Sequence, residues 1–470
     1  MTKTSLSTLA ALSVACVFWT EVGAATTPVA GKTRLISTSA SGVAANGSSA
    51  LLGFSPDGTR LAFLSTATNL VPVKSSHAQV YVKDLRSGKV ILVSSSSSGA
   101  PGNADAGTAL WSPDGTRILF DSEATNLGTH GLSSAYIKDL RSGKTTVLAP
   151  SLQGGLLGAS SWSPNGRRIA FEANRLLNGA LIPELISFDT VSGKLSVLSQ
   201  TSQGVFGGGR GFQCYLECYA VWSPDSSRIA FSGEMPNLVL AAGATPYQFP
   251  NSTSPPSELY VEDVSTGELT LASSPSTGAA ANNDCCDYDP PLWSPNGKQI
   301  MFESWASNLG SGGGGPQSMS VYVKDTVTHQ VTRISPSNAE GPSYYAAAWS
   351  PDGTQVVYET EPVQGSDSPP YLPYLKNLKT GVTVPLSPPA DGLSGKIETG
   401  LVAWNPVGSS VLLESSGQGG SRLFVVDLAT RAATLVVSST ASQLAAEWNP
   451  RGHEIAWYSE KGGVHLTSVG

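Results

Sequence analysis

One phrase constrains this chain more than any other feature: Trp111-Ser-Pro-Asp-Gly115, followed by Arg117-Ile-Leu-Phe120, is written with variations eight times. The copies start at Phe54, Trp111, Trp162, Trp222, Trp293, Trp349, Trp404 and Trp448, between 44 and 71 residues apart. Each copy has the chemistry of a hairpin turn. Ser or Asn opens it, Pro presets φ, Asp or Asn follows in most copies, and Gly supplies the left-handed residue that a bulged turn needs. After the turn come runs such as Arg60-Leu-Ala-Phe63 and Arg228-Ile-Ala-Phe231, which combine β-propensity with a period of two. Third strands read Gln79-Val-Tyr-Val-Lys-Asp84 and Val321-Tyr-Val-Lys-Asp325, and a Gly-containing turn leads to a fourth, as in Lys89-Val-Ile-Leu-Val93.

Four antiparallel strands repeated in this way cannot bury both faces of a single unit, so the units must stack on one another. The expected fold is all-β: a single eight-bladed β-propeller of four-stranded antiparallel blades spanning residues 32–470. Fifty Gly, 31 Pro and only 13% charged residues agree with many short strands and frequent turns. The aromatic residue that ends each first strand is expected to be buried between neighbouring blades, contributing roughly 2–3 kcal/mol each. The last unit holds only three strands before the chain stops. Lys32-Thr-Arg-Leu-Ile-Ser37 matches the fourth-strand pattern of Thr332-Arg-Ile-Ser335, so the N-terminal strand is expected to complete the last blade and close the ring.

Residues 1–24 read as a signal peptide, with Lys3 ahead of an apolar stretch from Leu6 to Trp19 and small residues at Val22-Gly23-Ala24, and residues 25–31 read as a short linker. The alternative, a lipoprotein acylated at Cys16, has Ser13 where such sites usually place an aliphatic side chain. No later segment reads as transmembrane. The expectation is a periplasmic or secreted monomer whose cysteines meet an oxidising compartment. A net charge of -7 offers no basic surface for phosphates, which argues against nucleic acid.

The quoted residues resemble the TolB-like, WD-type family of propeller repeats, whose hallmark is Ser-Pro-Asp-Gly followed by an Ala-Phe strand. The resemblance runs over roughly 32–470 and implies the fold, together with docking of protein partners on the propeller. TolB itself has six blades behind an α/β domain, whereas this chain writes eight units. Related exported repeats carry an Asp-rich loop suggestive of calcium after an Asn-Leu pair. Here that loop reads Asn69-Leu-Val-Pro-Val-Lys-Ser-Ser-His77, without the acids, so calcium is not carried over to it.

The connections between strands two and three, and between blades, carry the length variation and should share one face, where binding usually lives. Aromatics gather in those of blades four to six: Phe212, Tyr215, Tyr219, Tyr247, Phe249, Tyr288, Tyr344, Tyr345 and Tyr371. Their polar-tipped rings suit a protein or carbohydrate partner, while the competing reading is that they pack the loops together. Cys214, Cys218, Cys285 and Cys286 lie in two of these segments and are expected to form disulfides, with three pairings open. Zinc would need four thiolates in a reducing setting, and Cys-x3-Cys is not the usual redox spacing. Asp284, Asp287 and Asp289 place three carboxylates within six residues, a set able to ligate calcium, or else solvated loop acids. No cofactor other than calcium is called for.

No Gly-x-Ser-x-Gly elbow, phosphate-binding loop, His-Glu-x-x-His or dinucleotide fingerprint is present. The leading expectation is therefore a non-catalytic scaffold that binds a protein or glycan through its long-loop face. The alternative is an enzyme with its site at the central channel mouth, of the propeller lyase or quinone-dependent dehydrogenase type. The Cys285-Cys286 pair is similar to that of the latter group, but its Trp-docking repeats are missing.

Overall fold

In a computed structural model the chain is described over residues 31–73, 75–128, 134–148, 160–177, 180–200, 220–235, 237–238, 256–275, 279–286, 289–310, 318–336, 342–361, 372–388, 393–441, 444–459 and 463–469. It forms eight four-stranded antiparallel sheets arranged as a β-propeller. Blade one comprises Ser49–Phe54, Arg60–Ser65, Gln79–Asp84 and Val90–Leu92, and blades two to seven repeat that order. Blade eight takes Ala445–Trp448, Glu454–Ser459 and Gly463–Ser468 from the end of the chain and Thr33–Leu35 from its beginning. The ring closes as the sequence implies: Thr33 faces Thr467 and Leu35 faces His465, the Ile36 amide donates to Val464 O at 2.7 Å, and the Ile36 side chain is buried. First strands of successive blades touch, as Ser49–Phe54 does with Ala106–Trp111 and with Ala445–Trp448. They therefore surround the axis, and fourth strands lie at the rim.

The turn phrase is a self-contained hydrogen-bonded unit. Ser112 Oγ donates to Asp114 Oδ1 and accepts from the Arg117 amide at 2.9 Å, while the Thr116 amide donates to Asp114 Oδ1 at 3.0 Å. Gly115 sits at φ +66°, the left-handed conformation that glycine adopts without strain. In blades one, two, four, five and six the second-strand aromatic lies opposite a third-strand tyrosine. Phe120 and Tyr136 stack with centroids 5.3 Å apart, and the Tyr136 hydroxyl donates to Ala124 O. The same pairing recurs at Phe63–Tyr81, Phe231–Tyr260 and Phe302–Tyr322. Such cross-strand pairs add about 0.5–1.5 kcal/mol beyond burial.

The seams explain the rest of the phrase. The indole of Trp293 is buried and donates from Nε1 to Val221 O of the preceding blade at 2.9 Å; Trp111 does the same to Gly53 O and Trp349 to Leu292 O. In the opposite direction, the arginine that opens a second strand reaches the next blade. Arg60 donates to Gly115 O with its guanidinium over Trp111, Arg117 to Gly166 O over Trp162, and Arg228 to Gly297 O over Trp293. Blades seven and eight have Ser410 and Glu454 at that position. There the Asn of Asn-Pro supplies the donor instead: Asn405 Nδ2 bonds Gly452 O at 3.2 Å and Asn449 Nδ2 bonds Gly58 O at 3.0 Å.

The turns between strands one and two and between three and four share one face; the longer connections share the other, called here the loop face. Among the described residues no helix is long and apolar enough to cross a membrane.

Candidate functional site

Of the residues singled out in the sequence, Phe212, Cys214, Tyr215, Cys218, Tyr219, Tyr247, Phe249, Asp287, Tyr288 and Tyr371 lie outside the described residues, as do the leader and most of the linker. The others sit at the loop face of blades five and six. Tyr344 and Tyr345 belong not to a loop but to the first strand of blade six, Ser343–Trp349. Period-two alternation sends them to opposite sides. Tyr344 is buried edge-on against Tyr358 at 5.8 Å, so for it the packing reading holds, whereas Tyr345 stays half-buried with its hydroxyl on the Glu361 carboxylate.

Cys285 and Cys286 are both buried, with their sulfurs 2.7 Å apart and Cys286 at φ +60°. Their segment is stitched to the second strand of blade five: the Cys286 amide donates to Glu303 O, the Trp305 amide to Asp284 O, and Ser304 Oγ to Asp284 O. Asp284 also accepts the Ser257 amide at 2.9 Å, which ties blade five to blade four. A reciprocal amide clamp holds the same loop. Asn282 Oδ1 accepts the Ser307 amide, Asn308 Oδ1 accepts the Asn282 amide, and Asn308 Nδ2 donates to Ala280 O. Asp284 is thus engaged as a loop brace. Among the described residues no group of three His, Cys, Asp or Glu is placed to hold a metal ion.

The main feature here was not read from the sequence. One residue beyond the second-strand aromatic, or beyond Leu413 in blade seven, at the loop-face end, stands a carboxyl in five blades: Asp121, Glu172, Glu303, Glu359 and Glu414. Three acids of blades six to eight reach an amide of the next blade, whereas Asp121 stays within its own blade on the Thr108 amide. Glu359 Oε1 accepts the Leu401 amide at 2.6 Å, Glu414 Oε1 the Leu444 amide at 2.9 Å, and Glu447, from the first strand of blade eight, the Phe54 amide at 3.2 Å. Leu401 borders a β-bulge in its own first strand, and Phe54 follows one that lies between Leu51 and Gly53. Glu303 Oε1 accepts the Asp289 amide at 3.1 Å. The visible signal was the recurrent Phe-Glu or Tyr-Glu dipeptide, in which an acid interrupts an otherwise apolar strand.

Burial dominates the electrostatics. It pushes Glu359 up to about 8, with Asp289 adding repulsion, and Glu414 up to about 7, with Glu398 adding repulsion. Burial also raises Glu447 to about 7 and Asp289 to about 6, and it raises Glu172. Glu258 is raised well above the usual carboxyl range, chiefly by burial and further by Asp284. Among the described residues no lysine or arginine offsets these shifts. At pH 7 Glu359 is therefore mostly protonated and Glu414 and Glu447 about half so, and in that state each can both donate and accept hydrogen bonds.

No known family profile matches the chain, and no curated protein matches it. Solved structures do. The Dos1 propeller is 13% identical, with 93% of this chain and 94% of that one covered and a TM-score of 0.50. Dipeptidyl peptidase 4 of Porphyromonas gingivalis is 12% identical, with 90% of this chain but only 56% of the peptidase covered and a TM-score of 0.53. TolB of Acinetobacter baumannii is 15% identical, with 84% and 82% covered and a TM-score of 0.36. At these identities the likeness is one of fold alone.

Proposed function

We propose that this protein is an exported binding scaffold, periplasmic or secreted after loss of residues 1–24, which engages a protein or glycan through the loop face of blades four to six. The observation that carries this reading is the arrangement of that face. Its long connections join strands of a rigid ring, above a rim of buried carboxyls in which Glu359 is mostly protonated and Glu414 and Glu447 about half so at pH 7, so that hydrogen bonds are offered in both directions. Such a surface favours neutral polar partners, including sugar hydroxyls and peptide groups, over polyanions. The aromatics of the 204–219, 233–257 and 361–371 segments would supply the apolar contact. In this reading the cysteines of the blade-four and blade-five segments are structural, and calcium at Asp284, Asp287 and Asp289 is the one metal to test.

One observation favours the second reading, a propeller enzyme acting at the channel mouth. Glu359, raised to about 8, is mostly protonated at neutral pH, the state a general acid requires. Affinity capture from a cell-envelope extract distinguishes the two. The scaffold reading expects a specific partner that is lost when residues 207–219 or 282–291 are replaced by a short Gly-Ser linker, and retained by Glu359→Gln. A partner insensitive to both replacements, or none, refutes it. Turnover of a polysaccharide that Glu359→Gln abolishes would favour the enzyme.

A further inference from the structure

On the opposite face, the seam between blades four and five forms a half-open pocket of about 190 Å³. That is more than tenfold the roughly 10–15 Å³ that one water needs. Its wall carries Lys324, Arg228 and His329 together with Asp263, Glu268 and Thr270. Arg228 and Asp263 have structural duties seen in other blades, with Arg228 bonded to Gly297 O and Thr326 Oγ1 and Asp263 closing its turn through Ser265 and Thr266. Lys324 is different.

A lysine occupies this third-strand position in several blades, and its amine crosses the seam to the loop leaving the preceding blade. Lys83 Nζ donates to Thr38 O, Thr38 Oγ1 and Ser39 O. Lys138 Nζ donates to Ser95 O, Ser95 Oγ, Ser96 O and Thr145 Oγ1. Lys324, only 2% exposed, donates to Ser274 O at 2.7 Å and to no other acceptor among the described residues. Val331 stands across the register from Lys324, so the hydroxyl that Thr145 offers Lys138 is missing; Lys376 of blade six also has a single acceptor, Ile334 O, but is only half-buried. An ammonium has three donors, and leaving buried donors unfilled is costly, so the remaining two suit a ligand acceptor in the pocket.

Acids on the same wall narrow the choice of ligand. Asp263 and Glu268 would repel a phosphate or a dicarboxylate, yet they complement a cationic group. We propose that this pocket binds a free α-amino acid with a small side chain, its carboxylate on Lys324 and its ammonium group toward Glu268 and Asp263. Burial lowers Lys324 to about 8, which leaves it mostly protonated at pH 7. The site is independent of the loop-face proposal.

Titration calorimetry on the full chain tests it, with glycine, L-alanine and L-serine as probes and acetate, methylamine and inorganic phosphate as separate arms. At least one amino acid is expected to bind more tightly than every single-function probe. Lys324→Met should weaken it roughly tenfold or more, the equivalent of one charge-assisted hydrogen bond. Val331→Thr gives Lys324 the hydroxyl partner that Lys138 already has; it should weaken binding without lowering the melting temperature, which separates ligand loss from misfolding. The proposal is overturned if no probe binds, if acetate or phosphate binds as tightly as the amino acids, or if folded Val331→Thr binds like the wild type.

Discussion

Replacing Glu359 by Gln should stabilise the propeller at neutral pH, although it removes a charged residue type from a buried polar contact. The side chain crosses from blade six to blade seven, is fully enclosed, and accepts the Leu401 amide at 2.6 Å. Burial raises its pKa to about 8 from the ordinary 4.5, so the folded state keeps a proton that the unfolded chain has released at pH 7. Each pH unit between 4.5 and 7 costs about 1.4 kcal/mol, which makes the penalty about 3 kcal/mol as an upper bound. The sign follows from the direction of the shift. The folded state binds more protons, so stability is greatest below pH 4.5, falls as pH rises, and levels off above about 8. Gln has the same shape, keeps an acceptor for the Leu401 amide and cannot ionise. The variant should therefore melt higher than wild type at pH 7 to 8, melt alike near pH 4, and show a shallower pH dependence in between. Calorimetric melting at half-unit pH steps reads all three. A wild-type melting temperature that does not fall between pH 5 and 8, or a Glu359→Gln curve parallel to it, would show that this carboxyl is not buried in its neutral form.

Other expectations concern the seams. Deleting residues 32–38 removes the fourth strand of blade eight and the buried Ile36 side chain; melting should drop markedly, and unchanged melting would defeat ring closure by that strand. Arg117→Ala removes both the bond to Gly166 O at 3.0 Å and the stack over Trp162, for a loss of about 2 kcal/mol in chemical denaturation. Arg117→Lys should recover little of it, because the planar fork makes both contacts at once. Asn449→Ser keeps a turn-opening hydroxyl but cannot span to Gly58 O, so it should cost about 1 kcal/mol, with the loss confined to the closing seam.

The fold was legible because each of its rules is local. Ser112, Asp114 and Gly115 complete their hydrogen bonds within a few residues, and the second-strand Phe and third-strand Tyr sit opposite by register alone. The carboxyl rim was hidden for the opposite reason. Whether Glu359 meets solvent or a Leu401 amide depends on a bulge in another blade, and a lone acid near a strand end reads as a solvated one until its neighbour is in place. Tyr344 and Tyr345 show the same limit: adjacent in sequence, they part by side, and only the strand boundary at Ser343 decides it.

The Asn-Pro units lie between these cases. Blades seven and eight lack the strand-opening arginine that stitches blade one to two, two to three and four to five, and both replace Ser-Pro by Asn-Pro. Taken singly, Trp404-Asn-Pro and Trp448-Asn-Pro look like degraded copies of the phrase. Taken with Ser410 and Glu454, they are a substitution of one donor for another onto the same glycine carbonyl of the next blade. The exchange has a consequence for strength. A guanidinium brings a charge-assisted bond and a ring contact, whereas a carboxamide brings one neutral bond, so the two seams around blade eight are held more weakly at the turn face. Glu414 and Glu447 reach across those same two seams at the loop face, to the Leu444 and Phe54 amides, and both lose stability as they ionise near pH 7. Blade eight, which also joins the two ends of the chain, should therefore open before the arginine-stitched blades one and two as pH rises, and amide hydrogen exchange should show its protection falling before theirs.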